Sequence, residues 1–185
     1  MFSLLKPERE NKPIAIAIFS FLIQCAKRKK EIPNVLPVQD IYQSLLTTLQ
    51  SNPMALLQAP PGAGKSTWLP LTLMREGHFK RIVILEPRRL AARNIAQYLA
   101  SQQNEKVGDS VGLRIRGESK VSSTTKLEIV TEGMLTRMLQ NDPELSDVDL
   151  LIFDEFHERS IAADTALAFA LETQAALRDD LKILL

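Results

Sequence analysis

Ala59-Pro60-Pro61-Gly62-Ala63-Gly64-Lys65-Ser66-Thr67 is the stretch of this 185-residue sequence that decides its fold class. Gly62 and Gly64 allow a tight turn whose backbone N–H groups face inward. Lys65 and Ser66 place an ammonium and a hydroxyl at the end of that turn. An apolar run precedes the loop and a helix-compatible stretch follows it. This order is typical of a loop that wraps nucleotide phosphates, with the lysine reaching the β- and γ-phosphates and the serine ligating Mg²⁺.

The sequence departs from the usual pattern of such loops at one position, and one simpler interpretation of the loop is open. Ala59 stands where the usual pattern has its first glycine. A Gly-Lys-Ser triplet by itself is often only a turn with a solvated lysine, but the strand before it and the helix after it favour phosphate binding. The candidate nucleotide-binding residues are Pro61, Gly62, Ala63, Gly64, Lys65, Ser66 and Thr67.

A second apolar run ends in the acids that hydrolysis requires. Leu150-Leu151-Ile152-Phe153 is followed directly by Asp154 and Glu155. Four consecutive apolar residues predict a strand covered on both faces, and the carboxyl ends of such strands are where parallel sheets bind ligands. We expect Asp154 to hold Mg²⁺ through its water shell, and Glu155 to orient and deprotonate the attacking water. The alternative is a solvated acidic turn after an ordinary core strand.

Composition indicates one globular domain with unevenly distributed charge. The chain is 45% hydrophobic and its net charge is +1. Arg75–Arg93 is rich in arginine, whereas Asp142–Glu158 holds seven carboxylates and neither lysine nor arginine. This segregation is compatible with a polyanion groove beside a metal site, although it also arises by chance on solvated helices. Cys25 is the single cysteine, which excludes an internal disulfide and agrees with a reducing, cytoplasmic setting.

Residues 1–35 differ from the rest of the chain. Ile14–Ile23 is apolar and a basic cluster, Lys27–Lys30, follows it. The run is shorter than the roughly 20 residues that a membrane-spanning helix needs, and it lacks the small-residue cleavage site of a signal peptide. We expect an N-terminal extension that docks as an apolar helix or stays mobile; a membrane-surface anchor is the less favoured interpretation. Residues 36–185 are expected to form one domain.

From Pro37 onward the sequence alternates helices and strands. The predicted strands are Met54–Ala59, Arg81–Glu86, Val111–Arg116, Lys126–Val130, Val148–Asp154 and Leu181–Leu185. The predicted helices are one beginning at Pro37, Lys65–Arg75, Leu90–Ser101, Glu132–Gln140 and Ile161–Leu177. Strands separated by helices of this length imply βαβ crossovers. The predicted fold class is therefore α/β, a mostly parallel sheet with helices on both faces.

Four segments together resemble one family, the DEAH-box helicases of superfamily 2. Ala59–Thr67 is similar to their first motif, Leu85–Ala92 to the next and Thr131–Leu135 to the third. Asp154–Arg159 resembles the DEAH box, with Phe156 in place of the usual alanine, a variant that looks most like a bacterial branch of the family. Order and spacing match as well as content, from about residue 36 to the end of the sequence.

The resemblance implies a RecA-like P-loop NTPase domain of an RNA helicase that uses ATP and Mg²⁺ and binds RNA backbone without sequence preference. It implies that Arg88 and Arg89 contact nucleic-acid phosphates, and that His157 couples the hydrolysis site to the strand that follows. It also implies a further phosphate contact at the start of a helix, from Thr131, Glu132 and Gly133. Each role has a simpler alternative. The two arginines can be read as solvated cations, and the histidine as a packed or solvated residue. The start of the helix can be read as a threonine N-cap.

Helicases of this class hold ATP and RNA between two RecA-like domains, and the second domain supplies arginine fingers to the γ-phosphate. The sequence matches only the first domain, C-terminally truncated. The resemblance therefore implies a chain that requires a second RecA-like domain, binds nucleotide, turns over slowly and does not unwind alone. A truncated nucleotide- or RNA-binding module without catalysis is the alternative, and a DNA-directed motor is a third. The resemblance also places Leu181–Leu185 in the middle of the sheet, between the strand of Asp154 and the strand before the loop.

Overall fold

The computed structural model describes residues 17–20 and 36–185, and within them one sheet of eight strands lies between two layers of helices. The strands are β1 (Ala17–Ser20), β2 (Met54–Gln58), β3 (Ile82–Leu85), β4 (Val111–Ile115), β5 (Glu118–Lys120), β6 (Leu127–Val130), β7 (Leu150–Phe153) and β8 (Lys182–Leu184). The helices are α1 (Pro37–Ser51), α2 (Trp68–Arg75), α3 (Arg89–Ser101), α4 (Glu132–Asn141) and α5 (Ile161–Ala176).

The sheet is mostly parallel, as predicted. Its strand order is β1-β2-β8-β7-β3-β6-β4-β5, and all neighbouring strands of the described chain run parallel except the β4–β5 hairpin. β8 lies between β2 and β7, where Ile183 is in register with Met54 on one side and Leu151 on the other. The loop after β2 and the acids after β7 are therefore two strands apart on the same edge of the sheet.

Alternate residues of the central strands face the two helix layers. In β3, Ile82 and Ile84 pack into the core beneath α1, α2 and α3, whereas Val83 and Leu85 pack into the core beneath α4 and α5. All four side chains are buried. Burial on both faces explains why β3 and β7 are continuous apolar runs and do not alternate with polar residues.

Two elements after residue 36 differ from the sequence prediction. α2 begins at Trp68, three residues later than predicted, because the Leu69 N–H donates to the carbonyl of Gly64 in a turn wider than an α-helical one. The short strand β5 was not predicted, since its residues Glu118–Lys120 are polar and mostly exposed. Gly117, at φ +82°, forms the turn that folds β5 back onto β4.

The N-terminal segment contributes β1, which pairs in parallel with β2 from Ala17↔Ala55 to Ser20↔Gln58. The prediction of an apolar helix is therefore wrong for Ala17–Ser20. An extended segment can pair with the free edge of β2, which a helix cannot do. The rest of the predicted extension lies outside the described residues. Among the helices that the structure describes, none is both long and apolar enough to cross a membrane.

Candidate active site

The loop after β2 presents backbone donors toward one side. Gly62 and Gly64 adopt φ of +75° and +93°, conformations that favour glycine. The Ala63 N–H donates to the Pro60 carbonyl at 3.2 Å, which closes the turn. Within the described chain, the N–H groups of Gly62, Gly64, Lys65 and Ser66 donate to no acceptor. Four clustered backbone donors of this kind suit an anion such as a phosphate.

Helix α1 packs against this loop and holds it in place. The Val38 N–H donates to the Ala63 carbonyl at 3.2 Å. A Cβ atom on Gly64 would lie 2.9 Å from Leu36 Cδ1 and 3.2 Å from Val38 Cγ1. Pro37 begins the helix, and the Leu36 N–H donates to the Gln39 side chain at 3.1 Å, so the start of α1 is fixed where it contacts the loop. A side chain at position 64 would therefore be strained by the positive φ and would have to displace Leu36 and Val38.

Lys65 and the residues after it follow the turn. The Lys65 Nζ atom donates to the Ala59 carbonyl at 2.6 Å. Ser66 and Thr67 are half-buried, and Thr67 is the N-cap residue of α2. The hydrogen bond ties the amine to the first residue of the loop, and Lys65 lines the cavity described below.

Asp154 follows β7 and has one oxygen without a partner. Its Oδ1 atom accepts a hydrogen bond from the Glu155 N–H at 3.0 Å. Its Oδ2 atom is buried and has no hydrogen-bond partner among the residues that the structure describes. A buried carboxylate oxygen is rarely left unpaired in a protein, and an unpaired one fits a cation ligand.

The donor set suits Mg²⁺ rather than a metal held by protein ligands alone. In the described part of the chain, no group of three or more His, Cys, Asp or Glu side chains is arranged to hold a metal ion. Mg²⁺ prefers oxygen ligands and is commonly held by one or two side chains together with phosphates and water. Asp154 and the Ser66 hydroxyl fit that pattern.

Glu155 has a strained backbone at the start of a single 3₁₀ turn, Phe156–Glu158. Its φ and ψ are 50° and 30°, in the left-handed region. Such conformations in non-glycine residues cluster at functional sites. The Glu155 Oε2 atom lies 3.3 Å from His157 Nε2. Phe156 packs edge-on against Phe153 with ring centroids 6.0 Å apart, which anchors the turn to the end of β7.

One cavity of about 620 Å³ brings the loop and the acids together. Lys65 and Pro61 line it from the loop; Asp154, Glu155 and His157 line it from the turn after β7. Its volume is within the range of small-molecule sites. The other predicted nucleotide-binding residues lie in the loop but do not line this cavity: Gly62, Ala63, Gly64, Ser66 and Thr67.

Glu86 is an acidic neighbour that the sequence reasoning did not single out. It follows β3, and its side chain is only 3% exposed. Burial raises the pKa of Glu86 to about 7; the N–H of Arg88, which donates to Glu86 Oε1 at 3.1 Å, opposes the shift, and the charges of Asp154 and Glu155 add to it. Its position, directly after an apolar strand that neighbours β7, was the signal that could have identified it.

The predicted nucleic-acid residues lie on the same edge of the sheet but differ in exposure. Arg88 and Arg89 are exposed at the start of α3. Thr131, the N-cap residue of α4, is 8% exposed and its side chain makes no capping hydrogen bond within the described chain, whereas Gly133 is exposed. Glu132 accepts a hydrogen bond from Ser160 Oγ at 2.5 Å.

A smaller cavity of about 90 Å³ connects these helix starts to the acidic turn. Pro87 and Glu132 line it together with Asp154, Glu155 and Glu158. This cavity therefore places Glu132, one of the candidate RNA contacts, beside the candidate hydrolysis residues, although they come from different loops.

A family model described as "DEAD/DEAH box helicase" matches residues 37–168 of the chain. The chain belongs to the DEAD/DEAH box helicase family. It is 60% identical over 151 residues to the ATP-dependent RNA helicase HrpB of Escherichia coli strain K12, a match that covers 81% of this chain and 19% of the relative. It is 35% identical to the ATP-dependent RNA helicase HrpA of Borreliella burgdorferi, over 80% of this chain and 18% of the relative.

Solved structures agree with this assignment. A crystal structure of the Escherichia coli DEAH/RHA helicase HrpB superposes on 80% of this chain with a TM-score of 0.78 and 59% identity, and the match covers 19% of that structure. The fold is thereby confirmed as the RecA-like domain of this family. The chain spans about a fifth of the length of these relatives.

Proposed function

We propose that this chain is the nucleotide-binding and hydrolysing RecA-like domain of an ATP-dependent RNA helicase. The observation that carries the proposal is the convergence of Lys65 and Asp154 on one cavity, where Asp154 Oδ2 is buried without a partner in the described chain. The site residues predicted from sequence keep their proposed roles. The relatives' description as ATP-dependent RNA helicases supports the substrate class.

Each residue of the site has a separate proposed role in binding or hydrolysis. The free N–H groups of the loop and the Lys65 ammonium bind the phosphates and offset their charge. Ser66 and Asp154 would hold Mg²⁺, which supplies electrostatic stabilisation of the β- and γ-phosphate oxygens. Glu155 accepts the proton of the attacking water. His157, 3.3 Å from Glu155, fixes the direction of that carboxylate.

Arg88, Arg89 and the start of α4 at Gly133 are proposed to contact RNA phosphates. They lie on the sheet edge that also carries the hydrolysis residues. Contacts of this kind give affinity without sequence preference and make binding salt-dependent. Thr131 and Glu132 keep the same proposed role as part of this helix start, and the Thr131 side chain makes no capping hydrogen bond in the described chain.

A second RecA-like domain is proposed to complete the site. The relatives are about five times longer than the matched region. An arginine from another domain accelerates P-loop enzymes by roughly 10³ to 10⁵. The chain alone is therefore expected to bind nucleotide, to hydrolyse it slowly and not to unwind duplexes.

The test is phosphate release by the purified chain with and without single-stranded RNA, compared with Glu155→Gln. Slow release that RNA stimulates and that Glu155→Gln abolishes supports the proposal. Glu172→Gln, which removes the same charge at an exposed position on α5, is the matched control. Equal rates in wild type and Glu155→Gln would favour a binding module without catalysis. Stronger stimulation by single-stranded DNA than by RNA would favour a DNA-directed motor.

A further inference from the structure

Arg88 is held by acidic side chains from two neighbouring strand ends. Its Nη2 atom donates to Glu158 Oε1 at 2.5 Å, and its backbone N–H donates to Glu86 Oε1 at 3.1 Å. The Arg88 and Glu158 side chains are 70% and 31% exposed. The ion pair joins the loop after β3 to the turn after β7, across 70 residues of sequence.

Glu158 is in turn connected to Glu155 by a single helical turn. The Glu158 N–H donates to the Glu155 carbonyl at 2.9 Å. Glu155 has the left-handed backbone described above, and its carboxylate contacts His157. The Arg88 guanidinium and the Glu155 backbone are therefore linked through one side chain and one 3₁₀ turn.

We infer that Glu158 is a positioning residue whose carboxylate occupies the Arg88 guanidinium in place of a nucleic-acid phosphate and releases it when RNA binds. The inference rests on the proposed function, because it requires Arg88 to contact phosphate. A guanidinium recognises carboxylate and phosphate oxygens with the same planar fork, so the two anions compete for one site.

The exposure of the pair makes the exchange feasible. An ion pair between solvent-exposed side chains stabilises a protein only weakly. A phosphate can therefore displace Glu158 with little loss. Once released, Glu158 no longer ties the turn Phe156–Glu158 to the loop after β3, and this turn begins at Glu155. Occupation of Arg88 by RNA thus reaches the residue proposed to activate water.

A double-mutant cycle measures this competition directly. The proteins are the full 185-residue chain as wild type, Glu158→Gln, Arg88→Ala and the double variant. The probe is a fluorescein-labelled single-stranded oligouridine, and the readout is its dissociation constant by fluorescence anisotropy at low salt. Both side chains are at the surface, so the fold should be retained, and thermal melts check this.

The expected result is tighter RNA binding in Glu158→Gln, by about two- to fivefold, the strength of an exposed ion pair. In the Arg88→Ala background the same substitution should change the dissociation constant by less than about twofold. Glu158→Asp, which keeps the charge, should bind more like wild type. Structural damage would weaken binding or leave it unchanged, and it would not produce a gain that depends on Arg88.

Two outcomes overturn the inference. One is that Glu158→Gln does not tighten binding at all. The other is equal tightening with and without Arg88, or equal tightening in Glu172→Gln, which would indicate a general charge effect. If Arg88→Ala binds RNA as tightly as wild type, the failure is a different one. That result would show that Arg88 does not contact RNA, so both this part of the proposed function and the inference built on it would be wrong.

Discussion

The Lys65 Nζ atom donates a 2.6 Å hydrogen bond to the carbonyl oxygen of Ala59. This bond joins the end of the loop to its first residue and holds the ammonium at the side of the cavity that also contains Asp154. The carbonyl is a backbone group, so the alanine at position 59 serves as well as the glycine of the usual pattern.

Lys65→Ala should weaken binding of a fluorescent ATP analogue. Loss of a hydrogen bond from a charged donor to phosphate removes about 1.5–3 kcal/mol, or roughly ten- to a hundredfold in affinity. Titration in the presence of Mg²⁺ measures this. Lys106→Ala, at an exposed lysine outside the cavity, is the control and should bind like wild type. Equal losses in the two variants would contradict the assignment of Lys65 to phosphate binding.

Gly64→Ala should destabilise the fold more than Gly62→Ala. Both glycines have positive φ, and the left-handed strain alone is about 1–2 kcal/mol for an L-residue. At position 64 the new Cβ would also lie 2.9 Å from Leu36 Cδ1, whereas at position 62 nothing lies within 4 Å. Overpacking adds about 1–3 kcal/mol. Urea unfolding without nucleotide compares the two, and indistinguishable midpoints would show that α1 does not pack tightly on the loop.

Glu86→Gln should reduce the loss of stability that occurs between about pH 4.5 and pH 7. The pKa of Glu86 is raised from 4.5 to about 7 in the folded chain, chiefly by burial. The folded state therefore binds more protons than the unfolded state in this window, so its stability falls as pH rises through it. The neutral amide avoids this loss.

We compare the unfolding free energy of Glu86→Gln with that of wild type at pH 4.5 and at pH 8. Relative to wild type, the variant should be more stable at pH 8 than at pH 4.5, by about 1–3 kcal/mol. Urea unfolding with EDTA, at both pH values, measures it. The opposite sign, or a difference independent of pH, would mean that Glu86 is charged in the folded chain throughout this range.

Glu128→Gln should cost about 3–5 kcal/mol of unfolding free energy, since it removes the charge from a buried ionic group. Glu128 is fully buried on β6, and its two oxygens accept from Arg81 and Arg114 at 2.7 Å each. With the carboxylate gone, both guanidinium groups lose their anion. Glu118→Gln is the comparison, because Glu118 pairs with Arg93 nearer the surface, and its loss should be much smaller. A comparable loss in both variants would refute this view of Glu128.

Arg88→Ala should flatten the salt dependence of RNA binding. Each phosphate contact to single-stranded nucleic acid contributes about 0.7 to the slope of log K against log salt. The slope should fall by about that amount, for every oligonucleotide sequence alike. Arg75→Ala, whose guanidinium donates to the Gln102 carbonyl, is the control and should keep the wild-type slope. An unchanged slope in Arg88→Ala would exclude a phosphate contact there.

The sequence was sufficient for six strands of the sheet, β2, β3, β4, β6, β7 and β8, and for the loop and the acids that form the two sides of the cavity. Runs such as Leu150–Phe153 are buried on both faces, so their apolar continuity predicts parallel strands and the edge on which Asp154 lies. The glycines at 62 and 64 predict the loop because few other residues adopt positive φ. The central position of β8 is confirmed, but it came from the family resemblance and not from local pattern.

Other features of the site and of the sheet could not be predicted from the sequence, because they depend on contacts between segments that are distant in the chain. The ion pair between Arg88 and Glu158 requires the relative placement of two loops 70 residues apart. The burial of Thr131 depends on packing around the start of α4. β5 is polar and owes its extended form to pairing with β4. The apolar residues of Ala17–Ser20 are compatible with either a helix or a strand, and pairing with β2 selects the strand.

The place of β8 has a consequence for synthesis on the ribosome. β2 has no hydrogen-bonded contact with β7 except through β8, which is made more than 120 residues after β2. Chains emerge from the amino end at about 5–20 residues per second. The acids after β7 are made only about 27 residues before β8, so for roughly one to six seconds the nascent chain carries both halves of the cavity as separate pieces, and emergence of Lys182–Leu184 is the event that can join them.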